Sequence, residues 1–303
     1  NYRVGLGTHL VVSDLPKYLD MMTDMLLNPL FPEDELAKTK VEWNSRFVES
    51  KMNTKSMAWN RLRQALYAPE HPFYDKDFDL QVKELAGIER AHLVEAHKKL
   101  YCPSSTIITV VGDIGHEEAL KLIEERLGGW KDSDSALALN KEIVIPPAVL
   151  PEKAVRVEVF LPEKSSLDIL IAHPCQVRRA DKDFYAARIA NAALGQDTIT
   201  SRLGQVVRDR AGLTYGIYSS FADTAFGGAP WTVSLSTNPN NAERALQLTG
   251  ATLRDYLERG IDKDDLAKES GRALGSFKVG LSSSLISSII SSTSLHAVKN
   301  NVK

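Results

Sequence analysis

Arg208 and Tyr215 stand seven residues apart in the stretch from Arg208 through Asp209, Arg210, Ala211, Gly212, Leu213 and Thr214 to Tyr215, Gly216 and Ile217. If both point the same way, they place a fixed cation and a phenolic donor together. Such a pair can hold a peptide carbonyl or an oxyanion developing on it. The plainer reading is that Arg208 caps a helix and Tyr215 packs in a sheet.

Other residues suggest chemistry less well. His92 and His97 flank Glu95 on a segment with helical spacing. A spacing of five sets two side chains roughly 140° apart around a helix, whereas histidines that share a metal usually stand at i and i+4. Neither His-Glu-x-x-His nor His-x-x-Glu-His occurs in the chain. His71 lies among the prolines and aromatics of the stretch from Tyr67 to Tyr74, which suits a packed loop and a structural histidine. Gly112 and Asp113 follow a strand-like run, but no glycine-rich phosphate loop accompanies them. No Gly-x-Ser-x-Gly elbow is present, and neither Cys102 nor Cys175 has a histidine in an evident catalytic relation to it.

The elements that must position Arg208 and Tyr215 are legible nearby. From Ile199 to Arg210 apolar Leu203, Val206 and Val207 fall at helical spacing with cations in the last turn. Gly212 then supplies the positive φ that ends the helix. Residues 213–221 read as a strand.

The chain has 303 residues, 43% hydrophobic and 25% charged, an ordinary globular composition with room for two cores. A net charge of −2 gives no electrostatic case for nucleic acid or an anionic membrane. No apolar run is long enough to span a bilayer. Two cysteines provide neither a disulfide framework nor metal-ligand spacing.

Read in order, residues 2–8 alternate like a strand, 14–27 carry a helical stripe, and Pro32 with Glu33 opens a second helix. Residues 231–237, a helix over 241–257 and another opening at Asp262 repeat that order. The run from Asp34 to Lys38 is echoed by Asp264 to Lys268. This is the pattern of an internal duplication. The second copy begins near Val155 with strands over 155–161 and 167–173 and a helix over 181–194. The first continues through residues 86–100, a strand over 106–111 and a helix over 116–127. Because each copy has parts the other lacks, we expect the chain to be a window out of a longer polypeptide. The proline-containing stretch 141–153 is the expected linker. The serine-rich run 281–295 keeps a stripe of Leu281, Leu285 and Ile289 and is expected to be a helix.

Together, the segments Phe31–Leu36, Leu66–Phe73, Tyr101–Asp113 and Arg208–Tyr215 resemble the insulinase-like M16 zinc metallopeptidases. The resemblance covers nearly the whole chain. It implies an α+β fold of two similar domains, each a mixed β-sheet with helices packed on it. These would be a third M16-like domain over residues 1–140, lacking its N-terminal part and any zinc site, and a fourth over 154–303, lacking its C-terminal part. In that family two halves close around an unfolded peptide, and the catalytic half carries an inverted His-x-x-Glu-His zinc helix and a third glutamate ligand. That ligand aligns near Arg46, with Glu42 and Glu49 flanking it. The resemblance therefore implies the non-catalytic half, with no metal held by this chain and zinc expected in an N-terminal catalytic half or a separate M16-like catalytic subunit. It implies a peptide substrate, with Tyr215 assisting at the scissile carbonyl and Arg208 holding substrate backbone. This chain alone would be inactive. The alternative is a non-proteolytic M16-like scaffold subunit. Family members occur in periplasm, cytosol and mitochondria, and the expectation here is a bacterial periplasm.

Overall fold

A computed structural model describes residues 4–134, 145–146, 148, 151–222 and 229–282. Most of the expected linker and the serine-rich run beyond Ser282 lie outside these described residues. The described helices are α1 (Leu15–Leu27), α2 (Glu33–Lys51), α3 (Thr54–Leu66), α4 (Phe78–Ala86), α5 (Arg90–Leu100), α6 (His116–Leu127), α7 (Phe184–Asn191), α8 (Ala242–Arg259) and α9 (Lys263–Ser282). The strands are β1 (Leu167–Pro174), β2 (Gly216–Phe221) and β3 (Pro230–Thr237). The fold is thus α+β and mostly helical.

Contacts divide the chain into two compact units, one from residues 1–39, 88–142 and 276–303, the other from 40–87 and 143–275. In the first, Pro16 occupies the opening turn of α1, where its missing N–H costs no hydrogen bond. The helix buries Leu15 and Leu19. α6 packs against it, and Arg126 of α6 donates from Nε to Asp20 of α1 at 2.7 Å. α5 is closed at its start by a capping box, in which the Glu89 N–H donates to His92 Nδ1. Arg90 reaches the carbonyls of Leu30 and Phe31, both at 3.0 Å.

The second unit is built on an antiparallel sheet with strand order β1-β3-β2. Alternation puts Ile169 and Ile171, Val233 and Leu235, and Ile217 on one face. There they meet Leu203, Val207, Leu213, Ala245 and Tyr256 in the main core. The opposite face carries Asp168, Ser234, Ser236, Tyr218 and Ser220. α8 delivers Ala245, Thr249, Thr252 and Tyr256 to the interior, and Gly260, at φ 73°, ends it. The Tyr256 hydroxyl, whose pKa is raised by burial, donates to the Ala190 carbonyl at 2.8 Å.

Several expectations need correction. The described strands form an antiparallel sheet, not the mixed sheets the resemblance implied. Residues 4–8, 106–111 and 155–161 are not strands. Their alternation fits a pleat, but a strand exists only through a paired neighbour, and these segments have none among the described residues. Val155, Val157 and Phe160 consequently remain exposed. Within the stretch 86–100, residues 90–100 form α5, which opens just after α4 ends at its Gly87 C-cap. The helix starts behind the proposed repeat do correspond, since α2 and α9 both open with acidic first turns. The strand expected over 2–8 does not correspond to β3.

Candidate functional site

The helix expected before Arg208 is wound more widely than an α-helix. Residues Gly204–Arg210 form a π-helical segment, as do Ala192–Gln196. Such segments are rare and recur near functional sites. Two glycines permit the close packing here. A Cβ on Gly204 would lie 2.2 Å from the Thr198 carbonyl oxygen, and one on Gly195 would lie 2.5 Å from Ser219 Oγ. The connecting turn is held by Asp197, whose carboxylate accepts the N–H groups of Ile199 and Thr200 at 2.6 and 2.9 Å and Arg272 at 2.9 Å. The Thr200 N–H, then the Arg272 side chain and the Ile199 N–H, hold its pKa down to about 2.

Arg208 sits in the last turn of the second π segment. The carbonyls of Val207 and Arg208 accept the N–H groups of Leu213 and Gly212, which folds the chain back into β2. Gly212 adopts φ 63°, a left-handed conformation that glycine takes without Cβ strain. Leu213 and Ile217 are buried on either side of Tyr215. The Thr214 hydroxyl donates to the Ser236 carbonyl at 2.5 Å and accepts the Gly216 N–H at 3.1 Å. Thr237 Oγ1 donates to the Leu213 carbonyl at 2.6 Å, and Thr198 Oγ1 accepts the Ile217 N–H at 3.0 Å. The backbone around Tyr215 is therefore pinned from three directions.

On this pinned backbone Tyr215 projects its phenol into solvent, 98% exposed. It does not pack in the sheet. Arg208 Nε donates to the backbone carbonyl of Tyr215 at 3.1 Å, so the guanidinium buttresses the residue that carries the phenol. Its Nη1 pairs with Asp209 at 2.5 Å. The turn thus joins the two residues through side chain and main chain, and it leaves the phenolic hydroxyl free to meet a carbonyl. Sequence reading found Arg208 and Tyr215 but missed Thr214, Thr198 and Ser236. Thr214 itself is buried beside Leu213, and a buried threonine hydroxyl at a strand entry needs a partner, but its burial was not legible from the sequence.

Elsewhere His71 and His97 are engaged in structure. His71 Nε2 meets the Pro146 carbonyl at 2.8 Å, its Nδ1 accepts the Phe73 N–H, and its ring stacks on Tyr67. The Tyr67 hydroxyl is pushed up to about 12 by burial. His97 Nε2 meets the Leu26 carbonyl at 2.9 Å and its ring stacks on Tyr101. Arg46 lies over the Trp43 ring at 5.1 Å, and Glu42 and Glu49 are exposed. No group of three or more His, Cys, Asp or Glu residues able to hold a metal ion occurs among the described residues. No described helix is long and apolar enough to cross a membrane.

Known proteins share this arrangement of elements. The family described as "Peptidase M16 inactive domain" matches residues 87–270. An uncharacterized zinc protease of Streptomyces coelicolor is 25% identical over 284 residues, covering 89% of this chain and 57% of that protein. The uncharacterized zinc protease YmxG of Bacillus subtilis is 26% identical over 273 residues, covering 88% of this chain and 61% of that protein. The chain therefore spans about three fifths of the length of these relatives. Among solved structures, a peptidase M16 inactive domain from Pseudomonas fluorescens superposes with a TM-score of 0.76 at 24% identity, over 88% of this chain and 62% of that one. The periplasmic protease PqqL of Escherichia coli superposes with a TM-score of 0.63 at 17% identity, over 93% of this chain and 31% of that one.

Proposed function

Because the chain belongs to the M16 peptidase family, as an inactive-type domain, we propose that it forms the substrate-binding, chamber-closing half of a zinc metallopeptidase that cleaves unfolded peptides. The zinc belongs to the other half, in the same polypeptide or in a partner chain. The organisation proposed with it is a third M16-like domain over 1–140, a linker over 141–153 and a fourth domain over 154–303.

The observation that carries this reading is the turn itself. A fully exposed phenol stands on a backbone fixed by Arg208, Thr214, Thr237 and Thr198. Packing does not account for this ring, which lies almost wholly outside the fold. A phenol held ready in this way donates to a substrate carbonyl as charge builds on its oxygen, without first having to be ordered. Arg208 keeps the carbonyl of Tyr215 in place and has further N–H groups on its guanidinium for substrate backbone. Closure of the two halves excludes water and strengthens both interactions.

The test uses the complete assembly with its zinc-bearing half. Tyr215→Phe removes one donor and is expected to lower kcat on an unfolded peptide about 10²–10³-fold. The melting temperature should stay unchanged, because the lost hydroxyl is exposed. Arg208→Ala lowers turnover too, with a small loss of stability. Unchanged turnover in Tyr215→Phe would return the pair to a structural role and favour the scaffold reading.

A further inference from the structure

One face of α9 grips the segment that leads into the second π-helical turn. Asp265, Glu269 and Arg272 stand at i, i+4 and i+7, so they share a side of the helix. Asp265, and Asp262 just before the helix, pair with Arg202 at 3.9 and 3.3 Å. Arg272 donates from Nη2 to the Asp197 carboxylate at 2.9 Å and from Nη1 to Thr200 Oγ1 at 3.3 Å. Glu269, only 4% exposed, lies one turn before Arg272 and pairs with its Nη1 at 3.8 Å. The segment 197–202 is thus tied to α9 at both ends, by its acid at one and by its cation at the other. A slide of α9 along the segment would break both pairs and bring like charges together, so the arrangement fixes the register between them.

Between these anchors lies Thr198, whose Oγ1 accepts the Ile217 N–H at 3.0 Å. Ile217 follows Tyr215 by two residues, so the place of Thr198 sets the place of the backbone under the phenol. The Asp197 carboxylate shapes the turn through the N–H groups of Ile199 and Thr200, but those bonds are internal to the turn and do not seat it on the rest of the unit. Arg272 does. Resting on the substrate-binding reading above, we infer that Arg272 is a positioning residue for Tyr215, acting through the 197–200 turn, Thr198 and Ile217. A guanidinium suits the task, because its planar fork makes the bonds to Asp197 and Thr200 at once. A lysine would keep the charge opposite Asp197 and lose the second bond.

The experiment has two parts. In the whole chain, hydrogen exchange is read at the Ile217 N–H. Arg272→Ala is expected to speed it about tenfold while amides within β3 keep their rate, because only the turn is loosened. Thr198→Val removes the acceptor itself and sets the upper limit of the change. In the complete assembly with its zinc-bearing half, Arg272→Ala is expected to lower kcat on an unfolded peptide about tenfold with KM little changed, and Arg272→Lys to restore part of the loss. The loss should vanish when Tyr215→Phe is already present, since a group that acts through the phenolic hydroxyl then has nothing left to place. Unchanged exchange at Ile217 in Arg272→Ala, or the same loss of kcat with and without the Tyr215 hydroxyl, overturns the positioning role and leaves that of Tyr215 standing. Unchanged turnover in Tyr215→Phe overturns the substrate-binding reading, and the positioning role with it.

Discussion

Asn191, the last residue of α7, ties the helix to β2, the strand that follows Tyr215. Its Oδ1 accepts Ser219 Oγ at 2.8 Å and Trp231 Nε1 at 2.7 Å, and its Nδ2 donates to the Ser219 carbonyl at 3.0 Å. Asn191→Ala removes all three bonds at a buried position. The Ser219 hydroxyl and carbonyl and the Trp231 N–H then lose their partner inside the fold. Each buried polar group left in this way costs about 1–3 kcal/mol. Trp231 is partly exposed and regains some of that from water, so the sum is about 3–5 kcal/mol. This is a large share of the ~5–15 kcal/mol that holds a typical protein folded. Urea unfolding followed by far-ultraviolet circular dichroism should show the midpoint falling at constant slope. Ser219→Ala leaves Asn191 bonded to Trp231 and should cost about 1 kcal/mol. The double variant should cost less than the two single losses combined, because the partners are shared. A loss below about 1 kcal/mol in Asn191→Ala would refute the idea that this network fixes β2.

Two further outcomes test the scaffold around the turn. Gly204→Ala drives a methyl into the Thr198 carbonyl, backbone against backbone, so we expect about 2 kcal/mol or more of destabilisation, read by the same urea titration; a neutral effect would mean that the π-helical segment relaxes freely. Asp197 has its pKa lowered in the folded state, chiefly by the Thr200 N–H. Its contribution is therefore present above about pH 4 and is lost as the pH falls from there toward 2. Melting curves should show Asp197→Asn less stable than the unaltered chain at pH 7, by an amount of the order of 1 kcal/mol after solvent screening, and the gap should close near pH 2. A gap that persists at pH 2 would remove the carboxylate from that role.

Much of this architecture was legible because helices announce themselves locally. The stripe of Leu15, Leu19 and Met22 and the run His116–Leu127 needed no knowledge of distant residues. Gly212 was readable for the same reason, since a left-handed residue at a helix end favours glycine. Strands are different. The alternation at 167–173 and at 155–161 is similar, yet only the former found a partner, and that partner lies some sixty residues away in β3. The π-helical winding was not legible either. It depends on how closely Gly195 and Gly204 approach Ser219 and Thr198, and periodicity carries no information on that. The residues of the turn were named from sequence. The exposure of Tyr215 and the bond from Arg208 to its carbonyl needed three dimensions.

The position of β3 between β1 and β2 sets the order in which this unit can be assembled. β1 and β2 precede it in the chain and, among the described residues, pair only through it. Until residues 230–237 have left the ribosome, neither earlier strand has a neighbour, and Thr214 and Leu213 lack the Ser236 and Thr237 groups that fix them. The Arg208–Tyr215 turn is consequently among the late features to form during synthesis. A nascent chain ending before β3 would present Ile217 and Ile169 without their core, which makes that interval the one in which this unit most needs protection from aggregation.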